Sequence, residues 1–174
     1  MAAWGGCGVN AASGEIADRD GRAPGGGRRR SLARLAAVQA LYQIALNPGA
    51  EPEAAIREFI AHRLGREIDG ELYGEADEKL FADIVRGTVG HRERLDETIS
   101  AALSEEWPLR RLETILRLIL EAGAYELAHR PDIPPRVTIA EYIAIAHAFF
   151  DGKEPGLANG VLHHLARALR GAEL

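Results

Sequence analysis

Four arginines fall within seven residues, at Arg28, Arg29, Arg30 and Arg34. A guanidinium fork grips phosphate oxygens in pairs and stacks on bases, so such a cluster suits single-stranded RNA. On a helix, Arg30 and Arg34 stand one turn apart on one face. Arg28 and Arg29 precede them at the entry, where they can follow a phosphate backbone. Cations at a helix N-terminus oppose the macrodipole by about 0.3–1 kcal/mol each, which disfavours a merely solvated basic start. Four engaged phosphates would give a log–log salt dependence with a slope of about −3.

Other chemistry finds little footing. The histidines His62, His91, His129, His147, His163 and His164 match no metal-ligand spacing. The adjacent pair His163 and His164 would point about 100° apart on a helix. Gly25-Gly26-Gly27 lacks the lysine of a phosphate loop, and no G-x-S-x-G sequence occurs. Cys7 is the single cysteine, which excludes an internal disulfide and a thiolate zinc site. No catalytic residue, metal site or cofactor is expected.

The residues that carry the arginines belong to a helical pattern. The chain has 174 residues, 47% of them hydrophobic and only 6% aromatic, and Ala, Leu, Glu and Arg favour helix over sheet. Residues 1–27 hold eight of the nineteen glycines and show no hydrophobic period, so they read as a disordered tail. Residues 28–174 read as one domain. Ser31 is the expected N-cap of a first helix burying Leu35, Val38, Leu41, Tyr42 and Ala45, stopped by Asn47-Pro48-Gly49. Further helices are expected from Pro52 to Leu64, from near Glu75, around Leu95–Leu103, over about 109–128, from Val137 to Phe150, and from Leu157 to Leu169. Gly65 to Gly74 reads as a polar connection, and no stretch reads as a useful strand. The fold class is all-α, a compact seven-helix bundle.

Charge is unevenly spread over this pattern. The formal total is −5. Residues 1–50 carry six arginines against three acids, residues 51–106 seven bases against fifteen acids, and residues 107–174 eight against eight. A basic start and an acidic middle point to two kinds of partner. Arg29-Arg30-Ser31-Leu32 has the look of a twin-arginine export signal. Arg34, Gln39 and Gln43 interrupt the apolar run that would follow, so a cytoplasmic protein is expected. Tyr42 and Tyr125 read as core rings with a polar tip, and Glu113 as an acid favouring a helix start. Asn159-Gly160, inside a helical pattern, reads as a loop or as a close approach of two helix backbones.

These pieces combine into a resemblance. Arg28-Arg29-Arg30-x-x-Ala33-Arg34 running into Val38-Gln39-Ala40-Leu41-Tyr42-Gln43 resembles the first helix of the NusB family. Glu113-x-Ile115-Leu116-Arg117, Tyr125-Glu126-Leu127, Ile133-Pro134-Pro135-x-Val137-x-Ile139-x-Glu141 and Asn159-Gly160-Val161-Leu162 continue it in order. The resemblance spans about residues 28–170 and implies a NusB-like helical bundle that is not an enzyme. It implies transcription antitermination: binding of boxA-type RNA from ribosomal RNA leaders together with ribosomal protein NusE, within an elongating RNA polymerase complex. By position it assigns RNA contact to Arg28, Arg29, Arg30, Arg34, Arg136, Leu157 and Asn159. It assigns contact with NusE to Tyr42 and Glu113, turning both from structural into partner-facing residues. A monomer and a homodimer both fit the resemblance.

The sequence departs from the family pattern at Ala140, Ala144, His147, Gly156 and Leu157. Leu157 stands where a base-stacking aromatic is common, and its ring would be worth about 1–3 kcal/mol per base. Two other functions compete. One is an RNA-binding module accompanying a ribosomal RNA cytosine methyltransferase, although the 174 residues include no cofactor-binding α/β domain. The other is a helical protein-binding scaffold without RNA affinity.

Overall fold

The computed structural model describes residues 26–64, 67–68, 71–72 and 76–174. Residues 1–25, which make up most of the expected tail, lie outside the described residues. The first helix, α1 (Gly26–Leu46), begins five residues before Ser31. Ser31 is therefore not an N-cap; its hydroxyl donates to the Gly27 carbonyl within the helix, at 3.1 Å. Arginine is a good helix former, so the run Arg28–Arg30 carries the helix backwards through Gly26 and Gly27. The Asp77 backbone N–H donates to the Arg29 carbonyl at 3.1 Å and ties this first turn to the next layer.

Helix α1 is buried on several sides at once through Ala33, Ala36, Ala37, Val38, Ala40, Leu41 and Ile44. Its four buried alanines let neighbouring helices approach closely. The chain leaves α1 through Asn47, whose side chain donates to the Gln43 carbonyl at 2.6 Å. Gly49 follows at φ 87°, a left-handed conformation that favours glycine.

Helix α2 (Pro52–His62) starts on proline and buries Ala55, Ile56 and Phe59. Two-residue strands β1 (Glu67–Ile68) and β2 (Glu71–Leu72) then pair antiparallel, Glu67 opposite Leu72 and Ile68 opposite Glu71. Pairs this short leave the fold class all-α, as expected. Asp69-Gly70, between the two pairs, is a sequence signal for a two-residue hairpin, and so short a pairing carries no period to read.

Asp77 caps helix α3 (Glu78–Gly90), its carboxylate accepting from the Leu80 N–H at 3.0 Å. Helix α4 (Arg92–Ala102) follows at once. The expected helix over 109–128 is divided: a 3-10 turn at Leu109–Arg111 precedes α5 (Thr114–His129). Glu113 occupies the N-cap position of α5 in extended backbone, ψ 143°, with no side-chain capping bond. Helices α6 (Pro135–Phe149) and α7 (Glu154–Arg170) close the bundle with a last 3-10 turn at Gly171–Glu173.

Helix α5 is the axis of the packing, in contact with α1, α3, α4, α6 and α7. Every residue from Leu118 to Leu127 is buried, Glu121 and Glu126 included. Such an all-round apolar helix belongs inside a bundle. At Gly123 an added Cβ would stand 2.8 Å from Leu162 Cδ2 and 3.3 Å from Tyr142 Cδ2, so the glycine lets α6 and α7 close on α5.

Gly160 is different. It lies within α7, exposed, and a Cβ there would meet nothing within 4 Å. Asn159-Gly160 is thus neither a loop nor a close helix contact, which corrects both expectations. Among the described residues no helix is long and apolar enough to cross a membrane.

Candidate nucleic-acid interface

The four arginines separate into two groups. Arg28 and Arg29 are exposed on the first turn of α1, and Arg30 is half-buried. Arg34 is 1% exposed. Its Nε donates to Glu126 Oε2 at 3.0 Å and its Nη2 to Glu126 Oε1 at 2.6 Å, a bidentate pair across α1 and α5. The Thr138 hydroxyl donates to Glu126 Oε1 at 3.0 Å and the Tyr142 hydroxyl to Oε2 at 3.2 Å. Glu141 adds a second carboxylate 3.4 Å from Arg34 Nη1.

Burial works against the Arg34 charge, but its hydrogen bond and attraction to Glu126 outweigh that and raise its pKa. The Tyr142 phenol is pushed well above its ordinary value by burial and by Glu126. Spacing correctly puts Arg30 and Arg34 on one face, but at Arg34 that face points inward. Arg34 is therefore corrected from an RNA contact to a buried structural cation.

The other assigned residues lie on α6 and α7. Arg136 is exposed in the first turn of α6, while Leu157 is half-buried and Asn159 exposed near the start of α7. Since α7 begins where α6 ends, Arg136 and Leu157 are separated by about 20 Å of helix rise. They cannot form one compact patch, but they can mark two points along an extended strand.

Tyr42 is half-buried rather than core. It lines a groove of about 340 Å³ between α1, α2, α5 and α6, with Gln39, Phe59, Arg63, Ile115 and Phe149. Glu113 is exposed two residues before Ile115. The structure thus brings Tyr42 and the start of α5 to the same groove. Phe59 and Phe149 line this groove too, and nothing in their sequence context distinguishes them from other apolar positions.

A second polar cluster lies beyond α1. The Tyr125 hydroxyl donates to Asp83 Oδ1 at 3.2 Å, and Arg130 Nη1 donates to Asp83 Oδ2 at 2.8 Å. Tyr125 is buried, as expected of a core ring. It stacks on His129 at 5.0 Å between centroids, and His129 lies 4.3 Å from the His91 ring. Burial lowers the His129 pKa, His91 and Arg94 add to the effect, and Asp83 opposes it. A histidine depressed in the folded state takes up its proton more readily when unfolded. Its stabilising contribution is full above the unfolded value near 6.5 and declines as pH falls below that value. His129→Gln is expected to flatten the thermal-stability profile between pH 7 and 5, as read by calorimetry. Among the described residues no group of three or more His, Cys, Asp or Glu residues could hold a metal ion.

The comparisons with known proteins bear on the family and the fold. The NusB family model matches residues 31–167, beginning just after Arg30. The transcription antitermination protein NusB of Bradyrhizobium diazoefficiens is 49% identical over 145 residues, covering 83% of this chain and 87% of that protein. The protein of the same name from Nitrobacter hamburgensis is 48% identical, covering 83% and 90%. Among solved structures, T. maritima NusB superposes with a TM-score of 0.67 at 29% identity, covering 83% of this chain and 95% of that one. A crystal structure of the antitermination factors NusB and NusE with dsRNA gives 0.66 at 25% identity, covering 81% and 98%. With the family model matching residues 31–167 and a relative 49% identical over 145 residues, the chain belongs to the NusB family.

Proposed function

We propose that this chain is a transcription antitermination factor that binds boxA-type single-stranded RNA jointly with ribosomal protein NusE and joins the elongating RNA polymerase. Its role is non-enzymatic and cytoplasmic. The observation that carries this reading is the first turn of α1, where Arg28, Arg29 and Arg30 precede a buried Arg34 that anchors the helix carrying them. Support comes from the relatives named for antitermination and from the NusB–NusE complex solved with RNA.

The RNA contacts proposed are Arg28, Arg29, Arg30, Arg136, Leu157 and Asn159. Arg34 is left out because a buried, doubly paired guanidinium has no surface to offer a phosphate. Tyr42 and Glu113 are proposed as NusE contacts. A half-buried tyrosine beside an apolar groove supplies anchoring area, and exposed acids suit a basic ribosomal protein.

With Arg34 out of the count, Arg28, Arg29, Arg30 and Arg136 leave four cations, and four phosphate contacts on a single strand give a log–log slope of about −3. Binding of labelled boxA-type RNA in the presence of NusE, measured across a salt series, should give that slope for the wild type. Arg29→Ala/Arg30→Ala should reduce it to about −1.4 and weaken binding most at low salt. An unchanged slope and affinity in the double variant would refute the RNA role of this turn. A double-stranded RNA of the same sequence, run alongside, separates the proposed single-strand preference from general attraction to phosphate.

A further inference from the structure

The fold brings together two histidines that are far apart in the chain. His91 stands at the junction of α3 and α4, and His129 is the last residue of α5. Their ring centres lie 4.3 Å apart with the planes inclined at 38°, and both residues are exposed. Neither ring is loose. His91 Nδ1 lies 2.8 Å from the Gly87 carbonyl oxygen. A carbonyl only accepts, so Nδ1 carries the proton and the lone pair of the neutral ring sits on Nε2. His129 stacks on the Tyr125 ring, whose hydroxyl donates to Asp83. Among the described residues no hydrogen bond occupies His91 Nε2 or either nitrogen of His129.

An imidazole that donates one N–H to a backbone carbonyl and keeps its other nitrogen open is oriented as metal-binding histidines are. The spacing of the two rings selects the kind of ion they can share. Metal–nitrogen bonds measure about 2.0–2.1 Å and a ring centre lies about 1.2 Å behind its nitrogen, so each centre would stand about 3.2 Å from a common ion. Centres 4.3 Å apart then subtend about 85° at that ion. A tetrahedral ion opens this angle to about 109° and needs centres about 5.2 Å apart. The closer pair matches two adjacent corners of a square or an octahedron, the geometries in which copper(II) and nickel(II) take nitrogen ligands. We propose that His91 and His129 form a two-histidine site for a divalent ion of the nickel(II) or copper(II) type, with water in the remaining positions. Water is needed because no third side chain among the described residues completes a ligand group. The bound ion bridges the α3–α4 junction to the end of α5.

The test titrates nickel(II) chloride into the full, untagged chain in a buffer free of chelators; copper(II) is avoided because it reacts with the thiol of Cys7. Nuclear magnetic resonance of the histidine rings needs no variant. The paramagnetic ion should broaden the signals of His91 and His129 first, ahead of the other four histidines. Calorimetry should give one ion per chain at this site, and either His91→Ala or His129→Ala should weaken it by about tenfold or more. Circular dichroism establishes that each variant is folded; both side chains are exposed, so neither leaves a core cavity. His163→Gln/His164→Gln removes the adjacent pair on α7 and should leave the affinity unchanged. At a hundredfold excess over its dissociation constant, nickel(II) should raise the unfolding midpoint of the wild type by about 5–10 °C. Zinc(II), which favours the wider tetrahedral angle, should bind more weakly than nickel(II). Equal broadening of all six histidines would overturn the proposal, as would a site that survives His91→Ala and His129→Ala. Zinc(II) binding more tightly than nickel(II) would overturn the assigned class of ion.

Discussion

Glu126→Ala is expected to destabilise the fold by about 3–5 kcal/mol, the range for removing one partner of a buried ion pair. The reason lies in what is left behind. Arg34 is 1% exposed, and without Glu126 its nearest carboxylate is Glu141 at 3.4 Å. The hydroxyls of Thr138 and Tyr142 lose their acceptor as well. Urea unfolding followed by circular dichroism should show the midpoint falling with little change in slope. Arg34→Met/Glu126→Leu removes both charges together and should recover most of the loss, since apolar replacement of a buried pair is often neutral or better. The same double variant should still bind RNA with a salt slope of about −3 if Arg28, Arg29, Arg30 and Arg136 carry the phosphate contacts. A slope reduced by a further contact would return Arg34 to the interface.

Gly87→Ala should also be damaging, to a smaller extent and for a steric reason. A Cβ there would stand 1.9 Å from Tyr125 Cζ, 2.1 Å from Cε2 and 2.3 Å from the phenol oxygen. The ring is buried and cannot step aside without breaking its hydrogen bond to Asp83 and its stack on His129. Overpacking of this kind costs about 1–3 kcal/mol or more, while alanine in a helix regains about 1 kcal/mol over glycine. An overlap this deep belongs at the upper end, so a net loss of about 2 kcal/mol is expected. Gly87→Ala/Tyr125→Leu should lose less than the sum of its parts in a double-mutant cycle. Additive losses would show that the ring is not what Gly87 accommodates.

Legibility in the sequence followed the kind of signal each feature leaves. Pro52 announces a helix start and stands at the start of α2, whereas α6 opens at Pro135, two residues before the expected start at Val137. The apolar period of α5 is plain from Leu116 to Leu127, yet it conceals Glu126. An acid between Tyr125 and Leu127 reads as one polar residue on an amphipathic face until α1 and α6 are packed around it. Arg34 is misread for the same reason. Its partner is 92 residues away, and no local spacing distinguishes a guanidinium facing solvent from one facing a carboxylate. Ser31 has the right chemistry for a cap, but the arginines before it also favour helix, and α1 starts at Gly26.

The Arg34–Glu126 pair also sets a clock on synthesis. Ninety-two residues separate the two partners, and a ribosome adds about 5–20 residues per second. For roughly 5–20 s after Arg34 leaves the tunnel, its carboxylate has not yet followed it out. During that interval α1 cannot bury its guanidinium, and the bundle cannot close around it. The arginine-rich first turn therefore emerges long before the helix beneath it is locked. The nascent chain passes through a stage in which four cations are exposed, and folding withdraws one of them.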